Sequence, residues 1–354
     1  MKNKSLYLIL FFLALFSLVT LLSISLAYHN LSFFLKQLIW YILSFSLMIS
    51  LIKFFNYKYL KNNRFFIFAF YLFSILLLIL VLCQSQQIHG VKAWFRFGNF
   101  SFQPSEIAKF SLILILAKYF SSRHIEIWRK RHLIFSGIYF LIPLSLIIAE
   151  PDLGNASILF FIWFAIILAS GIKTKDFLIL LLIFIVASIF AWSFILKDYQ
   201  KERITNFLRP SENILTINYQ INQAKIAIGE GGFFGQGLKG GIQTNYHFLP
   251  QAHSDFIFAV FVEKWGVIGV FFLFSLYLFL FWYLQSKAFS LSLSSNFEKL
   301  FIFGFSAMLL GQIIVHLGGN LGLLPVTGIN LPFLSYGGSN LLINFAILGI
   351  ISKM

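Results

Sequence analysis

The residues best suited to chemistry lie in the segment QTNYHFLPQAHSDFIF, residues 243–258. Asp255 stands where a polar stretch ends and an apolar run, residues 256–284, begins. His253 and Ser254 come directly before it. An ionisable acid at the mouth of a membrane helix is costly, so it is a functional candidate by default. A partly desolvated carboxylate has a raised pKa and can serve as a general base, which makes Asp255 the candidate catalytic residue.

Other charged residues near the ends of apolar runs could contact an anionic substrate. Glu106 and Lys109 are three residues apart at the start of a run, close enough to pair on a helix. Asp152 precedes another run, where its side chain can cap the helix. Arg96 and Arg203 lie in polar segments and could neutralise a pyrophosphate. Structural alternatives stay open: an ion pair for Glu106 and Lys109, a cap for Asp152, and solvated side chains for the arginines.

The glycines of residues 229–241 match known ligand-binding patterns only in part. Gly235, Gly237 and Gly240 have the spacing of a dinucleotide fingerprint, but no predicted strand or βαβ unit surrounds them, and no P-loop ending follows. Seven glycines in these thirteen residues let the backbone approach a ligand or a helix closely, or let the segment bend as a hinge. Both interpretations stay open.

The sequence assigns no metal ligand. The spacing of His247, His253 and Asp255 fits no tetrahedral zinc pattern. A hard cation such as Mg²⁺ needs only one or two carboxylates together with phosphates of a ligand. A divalent cation therefore stays open as a cofactor.

Composition indicates a membrane protein. Hydrophobic residues make up 59% of the 354 residues and charged residues 11%, and the mean hydropathy is +0.86. Repeated apolar runs of about twenty residues indicate transmembrane helices. The net charge of +15 does not indicate a nucleic-acid partner, because the basic residues fall mostly in short loops between the runs. Cys83 is the only cysteine, which excludes an intrachain disulfide and a thiolate metal cluster.

We expect an all-α polytopic membrane protein with ten transmembrane helices, forming a single integral-membrane domain over residues 1–354. Alternate loops carry most of the lysines and arginines, so the positive-inside rule places both termini in the cytoplasm. Residues 197–255 then form a large extracytoplasmic loop between spans seven and eight. Within it, residues 219–228 predict a helix that lies along the membrane surface or packs within the loop. The predicted spans are residues 6–28, 34–52, 65–83, 104–120, 133–149, 154–171, 177–196, 256–284, 300–322 and 335–352.

Five segments carry a family resemblance from residue 90 to the C-terminus. They are GVKAWFRFGNFSFQPSEIAKF, EPDLGNA, YQINQAKIAIGEGGFFGQGLKGGIQ, FLPQAHSDFIFAV and LPFLSYGGS, in this order. Together with ten spans they resemble the SEDS family, which includes RodA, FtsW and SpoVE. The resemblance implies the SEDS fold and a peptidoglycan glycosyltransferase that polymerises lipid II on the outer face of the bacterial cytoplasmic (inner) membrane. It also implies a class B penicillin-binding protein as transpeptidase partner.

The resemblance assigns roles to residues of this chain. The essential aspartate of the family falls on Asp255, and the glycine-rich SYGGS falls on residues 335–339. The sequence departs from the family at Gln251, where glutamate is usual, at Ser254, where threonine is usual, and at Lys264. The candidate substrate-binding residues are Lys109, Glu106, Arg96, Arg203, Asp152, His253, Ser254, Ser335, Gly337 and Gly338.

Two branches of the family compete. QAKIAIGEGGFFGQG resembles the RodA branch, whereas NLGLLPVTGINLPF is closer to the FtsW branch. We expect the RodA branch, which implies cell-wall elongation, rod shape and further membrane proteins of the elongation machinery as partners. The alternatives are an FtsW-type division polymerase, a lipid II flippase or transporter, and a non-catalytic scaffold. In the mechanistic hypothesis Asp255 is the base, and Lys109 with Arg96 or Arg203, joined by Mg²⁺ where it is used, holds the pyrophosphate.

Overall fold

The computed structural model describes residues 2–84, 93–97, 100–122, 130–194, 201, 205, 217–292 and 295–354. Within these residues the chain forms thirteen helices and a hairpin of two antiparallel strands. The long apolar runs become helices because a membrane-embedded backbone must satisfy its own hydrogen bonds. The helices are α1 Lys2–Ala27, α2 Ser32–Phe54, α3 Tyr57–Asn62, α4 Arg64–Gln84, α5 Pro104–Ser121, α6 Lys130–Ala149, α7 Leu153–Ala169, α8 Thr174–Phe194, α9 Ile217–Glu230, α10 Ile242–Asn245, α11 Ile257–Ser290, α12 Asn296–Leu321 and α13 Gly338–Lys353. The strands are β1 Phe95–Phe97 and β2 Phe100–Phe102.

Ten of these helices coincide with the predicted spans: α1, α2, α4 to α8, and α11 to α13. Six of them, namely α1, α2, α4, α6, α11 and α12, are long and apolar enough to cross a membrane, and α7 and α13 are shorter apolar helices. α5 is less apolar because it contains Glu106, Lys109 and Lys118. The prediction of an all-α polytopic membrane protein is confirmed.

The helix ends gather at two opposite ends of the bundle. We call one the basic end, because lysine side chains connect helix ends there. Lys353 Nζ donates to the carbonyl of Ile52 at 2.7 Å, and Lys287 Nζ donates to that of Ser352 at 3.2 Å. Lys61 Nζ forms an ion pair with Glu298 Oε1 at 2.9 Å. We call the other the aspartate end, since α5, α7, α11 and α13 begin there and Asp255 precedes α11. The candidate residues that the structure describes and the lysines of the basic end therefore lie at opposite ends.

α12 lies at the centre of the bundle and packs on α5, α7 and α11. Two glycines allow this close packing: a Cβ on Gly304 would lie 2.8 Å from Ile166 Cδ1, and a Cβ on Gly311 would lie 3.1 Å from the ring of Phe161. Small residues at such positions bring membrane helices together. α13 packs on α2.

The glycine-rich segment docks against a kink in α11. Gly266 has a φ of 64° and a ψ of −166°, which interrupts the helix. The freed backbone groups pair with the segment: Gln236 and Gly237 donate to the carbonyls of Glu263 and Lys264 at 2.8 and 3.1 Å, and Val267 and Ile268 donate to those of Gly232 and Phe233 at 3.0 and 3.2 Å. A Cβ on Gly231 would overlap the carbonyl of Val262. The glycines thus serve close approach to a helix, which belongs to the first of the two interpretations left open by the sequence.

Glu263 and Lys264 find partners in the same segment. The fully buried carboxylate of Glu263 accepts the N–H of Gln243 at 2.8 Å and the hydroxyl of Thr244, so it caps the start of α10. Lys264 donates to the carbonyl of Gly240. A buried charge is tolerated when it is hydrogen-bonded in this way. Both residues fasten the segment to α11.

The predicted loop of residues 197–255 is described mainly from residue 217 onward, where it contains α9 and α10. The helix predicted over residues 219–228 is confirmed as α9 and packs on α11 and α12, with Ile221, Ala224 and Ala227 buried. The loop therefore forms a layer on the aspartate end of the bundle.

Candidate active site

Asp255 lies in the turn of residues 251–256, which directly precedes α11. Its N–H donates to the carbonyl of Gln251 at 3.1 Å, and its carbonyl accepts from Nδ2 of Asn320 at 2.8 Å. Asn320, in the last turn of α12, also accepts the N–H of Ala259 at 3.2 Å and so joins α12 to the start of α11. The main chain of Asp255 is therefore fixed, while the residue stays partly exposed.

His253 packs the aspartate turn against α2. Its ring stacks on Phe33 with centroids 4.0 Å apart and meets the edge of Tyr336 at 5.6 Å. Burial lowers the pKa of His253 to about 4, so the imidazole is neutral at pH 7. Its Nδ1 is buried and has no hydrogen-bond partner among the described residues. His253 thus contributes packing and no positive charge.

Residues 331–337 form irregular backbone that contacts the aspartate turn. Ser335 Oγ donates to the carbonyl of Ser254 at 2.9 Å and accepts the N–H of Leu331 at 2.9 Å. The N–H of Tyr336 donates to the carbonyl of His253 at 2.9 Å. The structure therefore brings together three of the candidate residues predicted from the sequence, namely His253, Ser254 and Ser335.

Side chains from three helices satisfy the carbonyls of this loop. Ser17 donates to Leu334 at 2.8 Å, Gln37 to Ser335 at 3.2 Å, Tyr277 to Pro332 at 2.6 Å, and Tyr41 to Phe333. Phe333 has a φ of 62°, an unusual conformation that costs ~1–3 kcal/mol and persists only where the surroundings enforce it. Irregular backbone within a membrane protein is tolerated when it is buried and hydrogen-bonded in this way. The loop is a rigid support for the turn that carries Asp255.

Gly337 and Gly338 fill tight positions next to this loop. A Cβ on Gly338 would overlap the indole of Trp40, and one on Gly337 would overlap the side-chain amide of Asn330. The N–H of Gly337 donates to Oε1 of Gln37 at 3.3 Å. The structure thus gives both glycines a packing reason, and their contact with substrate stays a prediction.

A second cluster is a buried polar network that joins the starts of α5, α7 and α13. Lys109 is fully buried, and its Nζ lies 2.8 Å from Glu106 Oε1 and 3.0 Å from Asn155 Oδ1. The other oxygen of Glu106 accepts from Asn340 Nδ2 at 3.2 Å. The ion pair that the sequence favoured is therefore present. Because Lys109 is fully buried in this conformation, a substrate phosphate does not reach its Nζ unless the network opens.

Asp152 continues this network and caps α7. Its Oδ1 accepts the N–H of Asn155 at 2.9 Å, and its Oδ2 accepts Nδ2 of Asn155 at 2.7 Å and Nε2 of Gln103 at 3.2 Å. Burial raises the pKa of Asp152, and hydrogen bonds from Asn155 oppose that rise. The capping role expected from the sequence is thus present, within a larger network.

Glu150, two residues before Asp152, is fully buried. Within the described part of the chain neither carboxylate oxygen has a hydrogen-bond partner. Burial, followed by the neighbouring charge of Asp152, raises the pKa of Glu150 to about 9. The side chain is therefore protonated at pH 7, so the network avoids a second negative charge beside Asp152.

Residues 327–329 lie between the network and the catalytic candidate. A Cβ on Gly154, at the start of α7, would lie 2.9 Å from the carbonyl oxygen of Thr327. A Cβ on Gly328 would lie 3.8 Å from Oδ2 of Asp255. The carbonyl of Ile329 accepts from Nδ1 of His316 at 2.7 Å, which fixes this segment to α12. Asp255 and the Asp152 network therefore share one supporting segment.

Arg96 is the candidate cation that is exposed at this end. It lies in β1 opposite Ser101 of β2, and the carbonyl of Ser101 accepts from Ser339 Oγ at 3.4 Å. The hairpin is thus attached to the start of α13. Arg203 lies outside the described residues.

The chain matches the family model described as cell cycle protein, FtsW/RodA/SpoVE, over residues 3–354. The chain belongs to this family. It is 38% identical over 325 residues to the peptidoglycan glycosyltransferase MrdB of Helicobacter pylori strain J99, covering 89% of this chain and 81% of that protein. It is 36% identical over 328 residues to the probable peptidoglycan glycosyltransferase FtsW of Buchnera aphidicola subsp. Acyrthosiphon pisum, covering 90% and 78%.

Solved structures of the FtsW/RodA/SpoVE family have the same fold. The rod shape determining protein RodA of Thermus thermophilus gives a TM-score of 0.70 at 29% identity, covering 97% of this chain and 94% of that one. A chain from a structure of a peptidoglycan synthase complex, solved to show how polymerization and crosslinking are coordinated, gives a TM-score of 0.81 at 30% identity, covering 98% and 96%. The SEDS fold expected from the sequence motifs is confirmed.

Sequence reasoning gave no role to several residues whose side chains hold the candidate active-site residues in place. Asn155 and Asn340 connect the ion pair to Asp152 and α13, and Asn320 fixes the main chain of Asp255. Polar residues inside otherwise apolar helices are a usable signal, since they seek partners there. Glu150 gave the same signal, as an acid directly after an apolar run.

Proposed function

We propose that this member of the FtsW/RodA/SpoVE family is a peptidoglycan glycosyltransferase that polymerises lipid II into glycan strands, with Asp255 as the general base. Relatives named as peptidoglycan glycosyltransferases match most of the chain, and RodA shares its fold. The observation that carries the proposal is the position of Asp255. It is a partly exposed carboxylate on a fixed main chain, at the end of the bundle opposite the lysine-rich loops.

The reaction joins two lipid-linked saccharides. The 4-hydroxyl of one attacks the anomeric carbon of the other, a glycosidic C–O bond forms, and the bond from that carbon to the diphosphate oxygen breaks. Polyprenyl diphosphate leaves with the electron pair, and the hydroxyl proton passes to Asp255. General base catalysis typically contributes ~10²–10⁴-fold to the rate. A diphosphate leaves without a general acid, so a second carboxylate of the glycosidase type is not needed.

The departing diphosphate requires positive charge. Arg96 is exposed at the aspartate end and can reach an external ligand. Lys109 is held by Glu106 and Asn155, so a direct contact with the diphosphate would require that ion pair to open. We therefore assign the contact to Arg96 with Arg203, and we assign to Lys109 the positioning of Glu106 and Asn155.

Mg²⁺ would add positive charge at the same place. Among the residues that the structure describes, no group of three or more His, Cys, Asp or Glu side chains is arranged to bind a metal ion. A hard cation that keeps several waters needs only one or two protein carboxylates besides substrate phosphates. We propose that any divalent cation used by the enzyme binds mainly through the phosphates of lipid II.

The orientation and partners follow from the same proposal. We place the aspartate end on the outer face of the bacterial cytoplasmic membrane and both termini in the cytoplasm, as the positive-inside rule predicts. We also propose a class B penicillin-binding protein as partner. A chain of similar fold comes from a peptidoglycan synthase complex that coordinates polymerization and crosslinking, and a transpeptidase partner would supply the crosslinking. The RodA branch would make elongation and rod shape the process served.

The deciding experiment uses the purified full-length protein, with its transpeptidase partner, and labelled lipid II. Asp255→Asn keeps the shape of the side chain and removes its basicity. We expect glycan synthesis to fall ~10²–10⁴-fold, with folding and lipid II binding retained. The matched control is Glu230→Gln, an acid at the end of α9 outside the site, which should polymerise at the rate of the parent.

Each other outcome has a defined meaning. Glycan synthesis by Asp255→Asn at the rate of the parent would refute the role of this carboxylate. If the parent protein exchanges lipid II between leaflets without making glycan, it is a flippase. If the parent protein has neither activity, it is a scaffold. Cysteine labelling that places residue 255 on the cytoplasmic side would contradict the orientation.

A further inference from the structure

A polar pocket of about 420 Å³ opens at the basic end, remote from Asp255. Its volume lies within the ~300–1,000 Å³ range of small-molecule sites. The pocket lies where α4 begins, α5 ends and α12 begins. The residues used below are Lys61, Arg64, Lys118, Ser121, Ser122 and Asn296.

Three cations converge on this pocket. Lys61 Nζ pairs with Glu298 Oε1 at 2.9 Å. Lys118 donates to the main-chain carbonyl of Lys61 and interacts electrostatically with Arg64. Glu298 is 2% exposed and is fixed on α12, so it balances one of the three cations. Two positive charges in excess remain among the residues described at this pocket.

Neither Arg64 nor Lys118 forms an ion pair with any residue that the structure describes. Like charges that lie close together repel, and they do so more strongly where protein and lipid displace water. An anion in the pocket would replace this repulsion with attraction. Ser121 and Ser122 also line the pocket, where their hydroxyls donate to main-chain carbonyls of α5: Ser121 to Lys118 at 3.0 Å, and Ser122 to Lys118 at 3.2 Å and Tyr119 at 3.1 Å.

The start of α12 adds a second anion-binding element. Asn296, its first residue, lines the pocket, and Ser295 makes no side-chain hydrogen bond that caps the helix. The first N–H groups of a helix lack partners within the helix and carry partial positive charge. Helix N-termini bind phosphate for this reason. The helix terminus and the two excess cations thus act on the same space.

Exposed aromatic side chains place the mouth of the pocket at the membrane boundary. Phe65 and Phe66, at the start of α4 and directly after Arg64, are 80% and 38% exposed. In a membrane protein such side chains contact lipid. Basic pockets between transmembrane helices recruit anionic lipid headgroups. An anion with an attached apolar tail satisfies both features at once.

We propose that this pocket binds the phosphate headgroup of an anionic phospholipid from the leaflet at the basic end. The cations and the start of α12 hold the phosphate, and the acyl chains lie along the exposed phenylalanines. The site is separate from the glycosyl-transfer site, since the two lie at opposite ends of the bundle.

The test is native mass spectrometry of the full-length protein released from detergent with phosphatidylglycerol or with phosphatidylcholine. The parent should retain phosphatidylglycerol preferentially. Arg64→Gln changes an exposed side chain and should weaken that retention about fivefold, as expected for one basic residue near an anionic lipid. Lys118→Gln should weaken it by a similar factor. Lys58→Gln removes an exposed lysine of α3 that does not line the pocket, and it should leave retention unchanged.

Two results would overturn the proposal. Equal retention by the parent and Arg64→Gln, or an equal loss in Lys58→Gln, would show that any lipid association is unrelated to the pocket. Titration with inorganic phosphate separates the sources of the anion. Displacement of phosphatidylglycerol by millimolar phosphate would assign the pocket to a soluble anion, whereas the lipid proposal expects no displacement.

Discussion

Replacing Lys109 by methionine tests the buried network directly. The change keeps most of the apolar stem of the side chain and removes its charge, so the loss concerns the contacts of Nζ. In the parent that nitrogen lies 2.8 Å from Glu106 and 3.0 Å from Asn155, and the side chain is fully buried. Without it, Glu106 keeps Asn340 at 3.2 Å as its remaining partner.

The magnitude follows from leaving a buried carboxylate without its cation. Removing one member of a buried ion pair typically costs ~3–5 kcal/mol of unfolding free energy, because the other charge stays in a poorly solvated site. Replacing both members relieves this penalty. We therefore expect Glu106→Gln with Lys109→Met to be clearly more stable than Lys109→Met alone, although Oδ1 of Asn155 still loses Lys109 as its donor.

The assay is equilibrium unfolding in mixed micelles, applied to the parent, both single variants and the double variant. Lys58→Met, at an exposed position, serves as the control and should stay within about 0.5 kcal/mol of the parent. The cycle should give a coupling energy well above the ~0.3–0.5 kcal/mol expected of independent sites. Additive single variants would refute the argument that Glu106 and Lys109 form one coupled unit.

Two further predictions concern the supporting structure. The pKa of Glu150 is raised from 4.5 to about 9, so the folded protein keeps a proton that the unfolded chain releases, and stability should fall as the pH rises from about 5 to about 9. Glu150→Gln should lose this dependence when thermal midpoints are measured across that range; equal slopes would contradict it. Gly231→Ala should lower stability by ~1–3 kcal/mol because its Cβ would overlap the carbonyl of Val262, whereas Gly229→Ala, which meets nothing within 4 Å, should be tolerated. Equal stability of the two alanine variants would show that the glycine-rich segment is not docked tightly on α11.

The predicted spans agree with the helices because their signal is local. An apolar run of sufficient length has to become a helix in a membrane, whatever its neighbours do. α3 and the hairpin of β1 and β2 carry no such signal, since each is too short to show a clear period, and the sequence reasoning does not predict them. The kink at Gly266 was hidden in an apolar run, because its cause is the segment that docks there.

The candidate site was predictable in its residues and less so in their arrangement. Asp255, Ser254 and Ser335 were predicted from motifs. In the structure Ser335 donates a hydrogen bond to the carbonyl of Ser254, in the turn that carries Asp255. Which residues fix them could not be inferred, because partners such as Gln37 and Asn320 are far away in sequence. Long-range hydrogen bonds depend on helix packing, which local motifs and apolar periodicity do not reveal.

The charges at the aspartate end explain why the buried lysine is a poor candidate for the leaving group. Lys109 is already neutralised by Glu106, and its transfer to the diphosphate would leave Glu106 as a buried charge without its cation. Glu150 avoids a similar cost by staying protonated beside Asp152. A site that develops negative charge on a diphosphate needs cations that are free to approach it. Exposed residues such as Arg96, or a cation carried by the substrate phosphates, meet that need without disturbing the network that holds α5, α7 and α13 together.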